Sequence, residues 1–166
     1  MRKNALLQVT SADISKTKGI KISLLPAIHF KAGWTILMGE YYSFYKFVPA
    51  QGQLEAVFNN ICSDKVKSLV AIIDDQIVAA ANFLYHPHTF SGKVCFVNDL
   101  IVAEKFRRLG IATQLLAKIA EEAANMGCTK VYWNTTVDNP ACKLYDKVSK
   151  VTPWIRYEIF PLQSKL

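Results

Sequence analysis

The residues most able to do chemistry as a group are Lys105, Arg107 and Arg108, clustered just ahead of Gly110 in "EKFRRLGIATQLL". Cations and a glycine stand there in front of a run with helical apolar spacing. A glycine lets backbone come close to a ligand. The first turn of a helix has N–H groups with no partner inside the helix, and it carries a partial charge of about +0.5. The combination can hold a phosphate. An ordinary basic turn that needs one glycine fits these residues equally well. No Lys-Ser/Thr pair follows the glycine, which disfavours nucleotide hydrolysis of the P-loop kind. Other reactive residues are dispersed. Cys62, Cys95, Cys128 and Cys142 lie far apart and show no zinc spacing, so they read as thiols of a reducing cytoplasm. His86 and His88 flank Pro87 in "YHPHTFSG", which reads as a hairpin tip rather than a metal site.

The net charge of +7 admits nucleic acid, an acidic membrane or an anionic cofactor as partner. Lysines and arginines are not interleaved with aromatics, and no helix-turn-helix or zinc-finger pattern occurs, so nucleic acid is not expected. No apolar run approaches the roughly 20 residues of a bilayer span. The basic N-terminus lacks the apolar core of a secretory signal. With 166 residues the chain suits one domain. Residues 1–18 are polar and without period and read as a loose arm; residues 19–166 form the domain.

The elements that must position the basic turn follow from pattern. "GIKISLL" (19–25) reads as a strand, 27–47 as one or two helices ended by Pro49, and 52–64 as a short amphipathic helix. "VKSLVAII" (66–73) and "IVAAANFLY" (77–85) read as a hairpin across "DDQ", with "KVCFVNDLIV" (93–102) as the next strand. A helix then starts near Arg108. Ile111, Leu115, Leu116, Ile119 and Ala123 share one of its faces, and Gly127 stands where a C-terminal glycine belongs. "TKVYWNTT" (129–136) reads as a strand, 140–150 as a short helix capped by Asp138, and "WIRYEIF" (154–160) as a closing strand of alternating character. The order predicts an α/β sheet of mixed direction.

"RRLGIA" (107–112) resembles the Arg/Gln-x-x-Gly-x-Gly/Ala signature of the GNAT N-acetyltransferase superfamily. "VNDLIV" before it, and "VYWNTT" and "ACKLYDKV" after it, fall in that family's order; the resemblance covers about 93–160 and looks most like the small histone/polyamine-type branch. It implies a single GNAT-like α/β domain with a mostly antiparallel central sheet, helices on both faces and a splayed central strand pair. It also implies acetyl-CoA as co-substrate, no metal, and direct transfer of acetyl to an amine of a small molecule or peptide. A CoA-binding module without catalysis is the alternative. Dimerisation is common in the family, and the final strand is one place where this chain could form a homodimer.

Residue by residue, the resemblance puts the cofactor pyrophosphate on the turn Arg107, Arg108, Leu109, Gly110, Ile111, Ala112 and Thr113. It puts the pantetheine arm along Leu100, Ile101 and Val102, with Asn134, Asp138, Asn139 and Cys142 beside the cofactor. Tyr145 takes the position of a general acid. A phenol is neutral at pH 7 and can protonate a departing thiolate. Asp99 is the only carboxylate on the central strand and is the candidate base, but in relatives the working residue can sit one place earlier, at Asn98, which cannot act as a base. Adjacent strand residues face opposite ways, so that single step matters. Glu40 and Glu158 are further candidates. Asp138 replaces the family's asparagine and cannot donate to pantetheine; Asn139 stands next to it. Tyr41, Tyr42, Phe44 and Tyr45 line an amine groove or belong to the core. No cysteine has a visible partner base, so an acetyl-enzyme is not expected.

Overall fold

The computed structural model describes residues 23–159; the proposed arm, the first residues of the first strand and Phe160 lie outside them. The described chain runs β1 (Ser23–Pro26), a 3-10 turn (Ala27–His29), α1 (Lys31–Phe44), α2 (Gln53–Cys62), β2 (Lys67–Ile73), β3 (Gln76–His88) and β4 (Gly92–Val102). A second 3-10 turn (Glu104–Phe106) leads to α3 (Ile111–Asn125), β5 (Val131–Trp133) and α4 (Cys142–Val148). The five strands lie in the order β1-β2-β3-β4-β5. All neighbours are antiparallel except β4 and β5, which α3 joins as a parallel crossover.

The sheet separates two apolar layers. On one face α3 packs Ile111, Leu115, Ile119 and Ala123 against Leu69, Ala71, Ala81, Phe83, Cys95 and Val97. On the other, α1 and α2 bring Trp34, Leu37, Met38, Phe58 and Ile61 against Val70, Ala80 and Ile101. The predicted apolar face of α3 is thus the buried one. Its predicted end also holds: Gly127 is left-handed at φ 74°, and Cys128 N–H bonds the Ala123 carbonyl at 2.8 Å. α1 lies so close to the sheet that a Cβ on Gly33 would stand 2.5 Å from Ile77 Cδ1 and 3.1 Å from its Cβ.

β4 contains an extra residue. Asn82 of β3 pairs with Asp99, but its neighbour Phe83 pairs with Val97, so Asn98 is bulged out. The bulge reverses the alternation. Cys95 and Val97 face α3, whereas Ile101 and Ala103 face α1 and α2. Beyond it β4 also parts from β5, whose pairing covers only Cys95, Phe96 and Val97.

Three sequence expectations need correction. The strand expected at 129–136 is only Val131–Trp133, because the splay leaves later residues without a partner. The strand expected at 154–160 is not formed within the described residues: 150–159 have no regular structure, and Trp154, Ile155, Tyr157 and Ile159 are exposed. Alternation alone makes no strand: among the described residues this segment pairs with neither open edge of the sheet. The strand expected to end at Tyr85 instead continues through Pro87 to His88. His86 sits inside it, with Nε2 2.9 Å from the Tyr132 hydroxyl.

Candidate active site

The bulge decides where Asp99 looks. Without it, Asp99 would share the α3 face with Val97; with it, Asp99 turns to the α1 side, opposite Asn82. There the Asn82 amide nitrogen donates to Asp99 Oδ2 at 2.9 Å, and Tyr41 of α1 stands close enough to the carboxylate to bear on its charge. Burial pushes the Asp99 carboxyl above its ordinary value, while the bond from Asn82 and the nearby Tyr41 act the other way. A carboxylate held in that balance is suited to accept a proton from an ammonium group. Asn98, the bulged residue, is exposed. Glu40 is exposed, and Glu158 is paired with Arg156 at 2.6 Å on the unstructured last segment, so neither joins the cluster.

Aromatic pairs stand on both sides of the splay. The Tyr41 and Tyr45 rings lie 5.0 Å apart, edge to face. The Tyr145 ring of α4 packs at 5.2 Å, tilted by 60°, on Trp133, the last residue of β5. Burial pushes the Tyr145 phenol up to about 12, helped by the neighbouring Tyr45 and Cys142. It therefore stays protonated, and a donor, across the neutral range. Of the four aromatics of α1 and its end, Tyr41 and Tyr42 are half-buried while Phe44 and Tyr45 are exposed, so the segment is partly core and partly wall.

The basic turn has the geometry of an anion cradle. Arg108 at φ 65° and Gly110 at φ 78° are both left-handed, which bends the chain sharply into α3. No side chain caps the helix, whose first internal bond runs from Gln114 N–H to the Gly110 carbonyl at 3.1 Å. Among the described residues no backbone acceptor pairs with the amides of Arg108 to Thr113. The side chains of Ile111 and Thr113 are buried, so these two offer backbone only. Arg107 turns back and its Nε donates to the Val102 carbonyl at 3.0 Å, tying the turn to the end of β4. Leu100, Ile101 and Val102 pair with β3 alone. Their other edge faces the gap opened by the splay.

The turn before α4 differs from expectation. Asp138 does not cap the helix: the N-cap position is Ala141, and Ala141 N–H is taken by Asn139 Oδ1 at 2.9 Å. Asp138 is exposed, and hydrogen bonds from Thr136 and its own backbone hold its carboxyl below the usual value, so it is an anion. The Asn139 amide nitrogen donates to Thr135 Oγ1 at 2.8 Å and to the Tyr45 hydroxyl at 3.1 Å, bracing α1 against this turn. Phe44, Tyr45, Lys46, Thr136, Asp138, Asn139 and Pro140 enclose a cleft of about 230 Å³ at this joint. Cys142 Sγ is 3.5 Å from the Thr136 carbonyl, and Asn134 is exposed just past β5. Sequence reasoning missed Asn82, Trp34 and Ser68; the available hint was one amide, Asn82, inside the otherwise apolar "IVAAANFLY".

Residues 34–149 match the family model described as "Acetyltransferase (GNAT) family". The chain is 31% identical over 98 residues to the thialysine N-epsilon-acetyltransferase of Caenorhabditis elegans, a match spanning 58% of this chain and 61% of that relative's length. It is 28% identical over 131 residues to a D-amino-acid N-acetyltransferase of Saccharomyces cerevisiae, covering 75% of this chain and 81% of the relative. Its fold is that of the ribosomal-protein-alanine N-acetyltransferase from Brucella melitensis (TM-score 0.73, 22% identity, 86% of this chain and 99% of that one). An aminoglycoside N-acetyltransferase in complex with CoA is also similar (TM-score 0.70, 20% identity, 85% and 94%).

Proposed function

The chain belongs to the GNAT acetyltransferase family, and from that premise we propose that it transfers acetyl directly from acetyl-CoA to the amine of a small molecule or peptide. The observation that carries this reading is that Asp99 lies just past the last paired residue of β4 and Tyr145 packs on Trp133, the last paired residue of β5, so that both belong to the splayed end of that pair. Acetyl-CoA supplies a thioester whose carbonyl an amine can attack. The residues present suit it in two respects. The amides of Arg108 to Thr113 stand without backbone acceptors and form a cradle for the pyrophosphate, with Lys105 and Arg108 adding charge. The edge of Leu100 to Val102 that β5 leaves unpaired, apart from the Val102 carbonyl taken by Arg107, offers peptide groups to a pantetheine arm.

In this reading Asp99 takes the proton that an ammonium must lose, directly or through water, and Asn82 holds its carboxylate. Tyr145 donates to the departing thiolate. Thiols leave with a pKa of about 8.5, so acid assistance contributes at most roughly 10²–10⁴-fold. Asn134, Asp138, Asn139 and Cys142 border the cofactor side. An acceptor enters by the cleft at Tyr45 and Asn139. The named relatives act on thialysine and D-amino acids, which makes amino-acid amines the first acceptors to try. The enzyme works in the cytoplasm, and its exposed stretch Trp154 to Ile159 joins two copies in a homodimer.

The test follows free thiol released from acetyl-CoA across thialysine, D- and L-amino acids, polyamines, aminoglycosides and a basic peptide, with cofactor binding measured in parallel. Release with one class establishes the transfer and names the acceptor. Binding without release on any amine favours the second reading, a CoA-binding module without turnover. The anionic Asp138, which cannot donate to pantetheine, is the observation on that side. Absence of binding would sink both.

A further inference from the structure

We propose that Asn82, clamped by Trp34 and Ser68, is a positioning residue that fixes the Asp99 carboxylate as an acceptor-only group at the bulge of β4. The inference rests on the reading of Asp99 as the base. Asn82 is 1% exposed, in the middle of the sheet. Its Oδ1 takes the Trp34 Nε1–H at 3.0 Å and the Ser68 hydroxyl at 2.7 Å. Its amide nitrogen points to Asp99 Oδ2 at 2.9 Å and to Met38 Sδ at 3.4 Å.

The sense of this chain is set at its far end. An amide can be turned over and a hydroxyl can rotate, but an indole N–H only donates. Trp34 is fully buried on α1, so its N–H must find an acceptor, and Asn82 Oδ1 is the one in reach. The amide nitrogen then has to face Asp99. A protonated carboxyl presenting its O–H at that oxygen would meet a second donor. The ionised form therefore fits the network, and the protonated form fits only after rotation. Side chains 48 and 17 residues away in sequence from Asn82 are thus read as one device running from α1 through β3 to β4.

Charged neighbours do not offer a simpler cause. The titratable groups facing Asp99 are Tyr41 and Tyr42 of α1, both raised by burial and by the Asp99 charge, and hence neutral through the range of interest. Among the described residues β3 contributes the uncharged Asn82.

The experiment titrates the Asp99 carboxyl carbon by ¹³C NMR in the cofactor-free protein, and separately records kcat/KM against pH, for wild type, Asn82→Ala, Trp34→Phe and Ser68→Ala. A hydrogen bond to a charged group is worth enough to move a midpoint by roughly one unit. Asn82→Ala should raise the Asp99 midpoint by about that amount and shift the acidic limb of the rate profile the same way, leaving KM for acetyl-CoA within about twofold. Trp34→Phe and Ser68→Ala should each give a smaller shift of the same sign, and they keep the test decisive if Asn82→Ala does not fold. Midpoints that stay put in the folded variants overturn the proposal. A midpoint that moves while the acidic limb does not would support the positioning of Asp99 and reject its role as base.

Discussion

At the scale of single residues, Asp99 and Tyr145 carry opposite demands, and burial serves both. It keeps the Tyr145 phenol protonated up to about 12, so Tyr145 cannot account for any basic limb of the rate profile below that pH. Tyr145→Phe should lower kcat by no more than about 10²–10⁴-fold with little change in acetyl-CoA affinity; isothermal titration alongside steady-state rates checks this, and an unchanged kcat would reject the acid role. For Asp99 the raised folded value means that the native state binds more protons than the unfolded chain between the two values. Stability is therefore lost as pH rises through that window and is not regained above it. Asp99→Asn removes that loss. It should be at least as stable as wild type at pH 7, with the difference vanishing in acid, while turnover falls about 10²–10⁴-fold. Denaturant titrations at two pH values, with rates, decide it. The chemical types of these residues were legible in the sequence. The direction of Asp99 was not: the bulge that turns it is built from Asn98, with no glycine or proline to mark it.

At the scale of elements, the legible parts were those with local periodicity. α3 showed its buried face through three- and four-residue spacing and its end through Gly127, while its start, expected near Arg108, comes at Ile111 because Arg108 and Gly110 are left-handed. The hairpins β2–β3 and β3–β4 showed theirs through apolar runs and turn residues. What stayed hidden depended on partners far along the chain. β5 is cut short by a splay that only β4 explains, the segment 154–159 pairs with no strand among the described residues, and Asn82 meets Trp34 across 48 residues. The seating of α1 is another long-range fact, and it gives a prediction. Gly33→Ala would drive a methyl into Ile77, whose Cβ as well as its tip is too near to yield freely. The change should destabilise by about 1–3 kcal/mol although alanine is the better helix former. It should also loosen Trp34, the next residue, on Asn82. Thermal unfolding together with the indole N–H chemical shift would report both; an unchanged melting temperature would show that α1 can lift away.

At the scale of the whole molecule, the chain divides unequally at the splay. Everything from β1 to β4 and α3 is tied into long antiparallel ladders and two apolar layers. β5 and α4 are joined to the sheet through a parallel pairing three residues long. In the time domain that asymmetry becomes a hierarchy of opening rates. Amides of β3 should exchange with deuterium only on global unfolding, while those of Val131 to Trp133 open by local detachment many times faster. A pantetheine arm lying in the gap would bridge the two parts, so the largest slowing of exchange on adding CoA should appear in β5 and α4, at residues that need not touch the ligand. Mass-resolved exchange with and without CoA measures it. Equal protection of β5 and β3 in the free protein would mean that the short parallel pair is as firm as the ladders beside it.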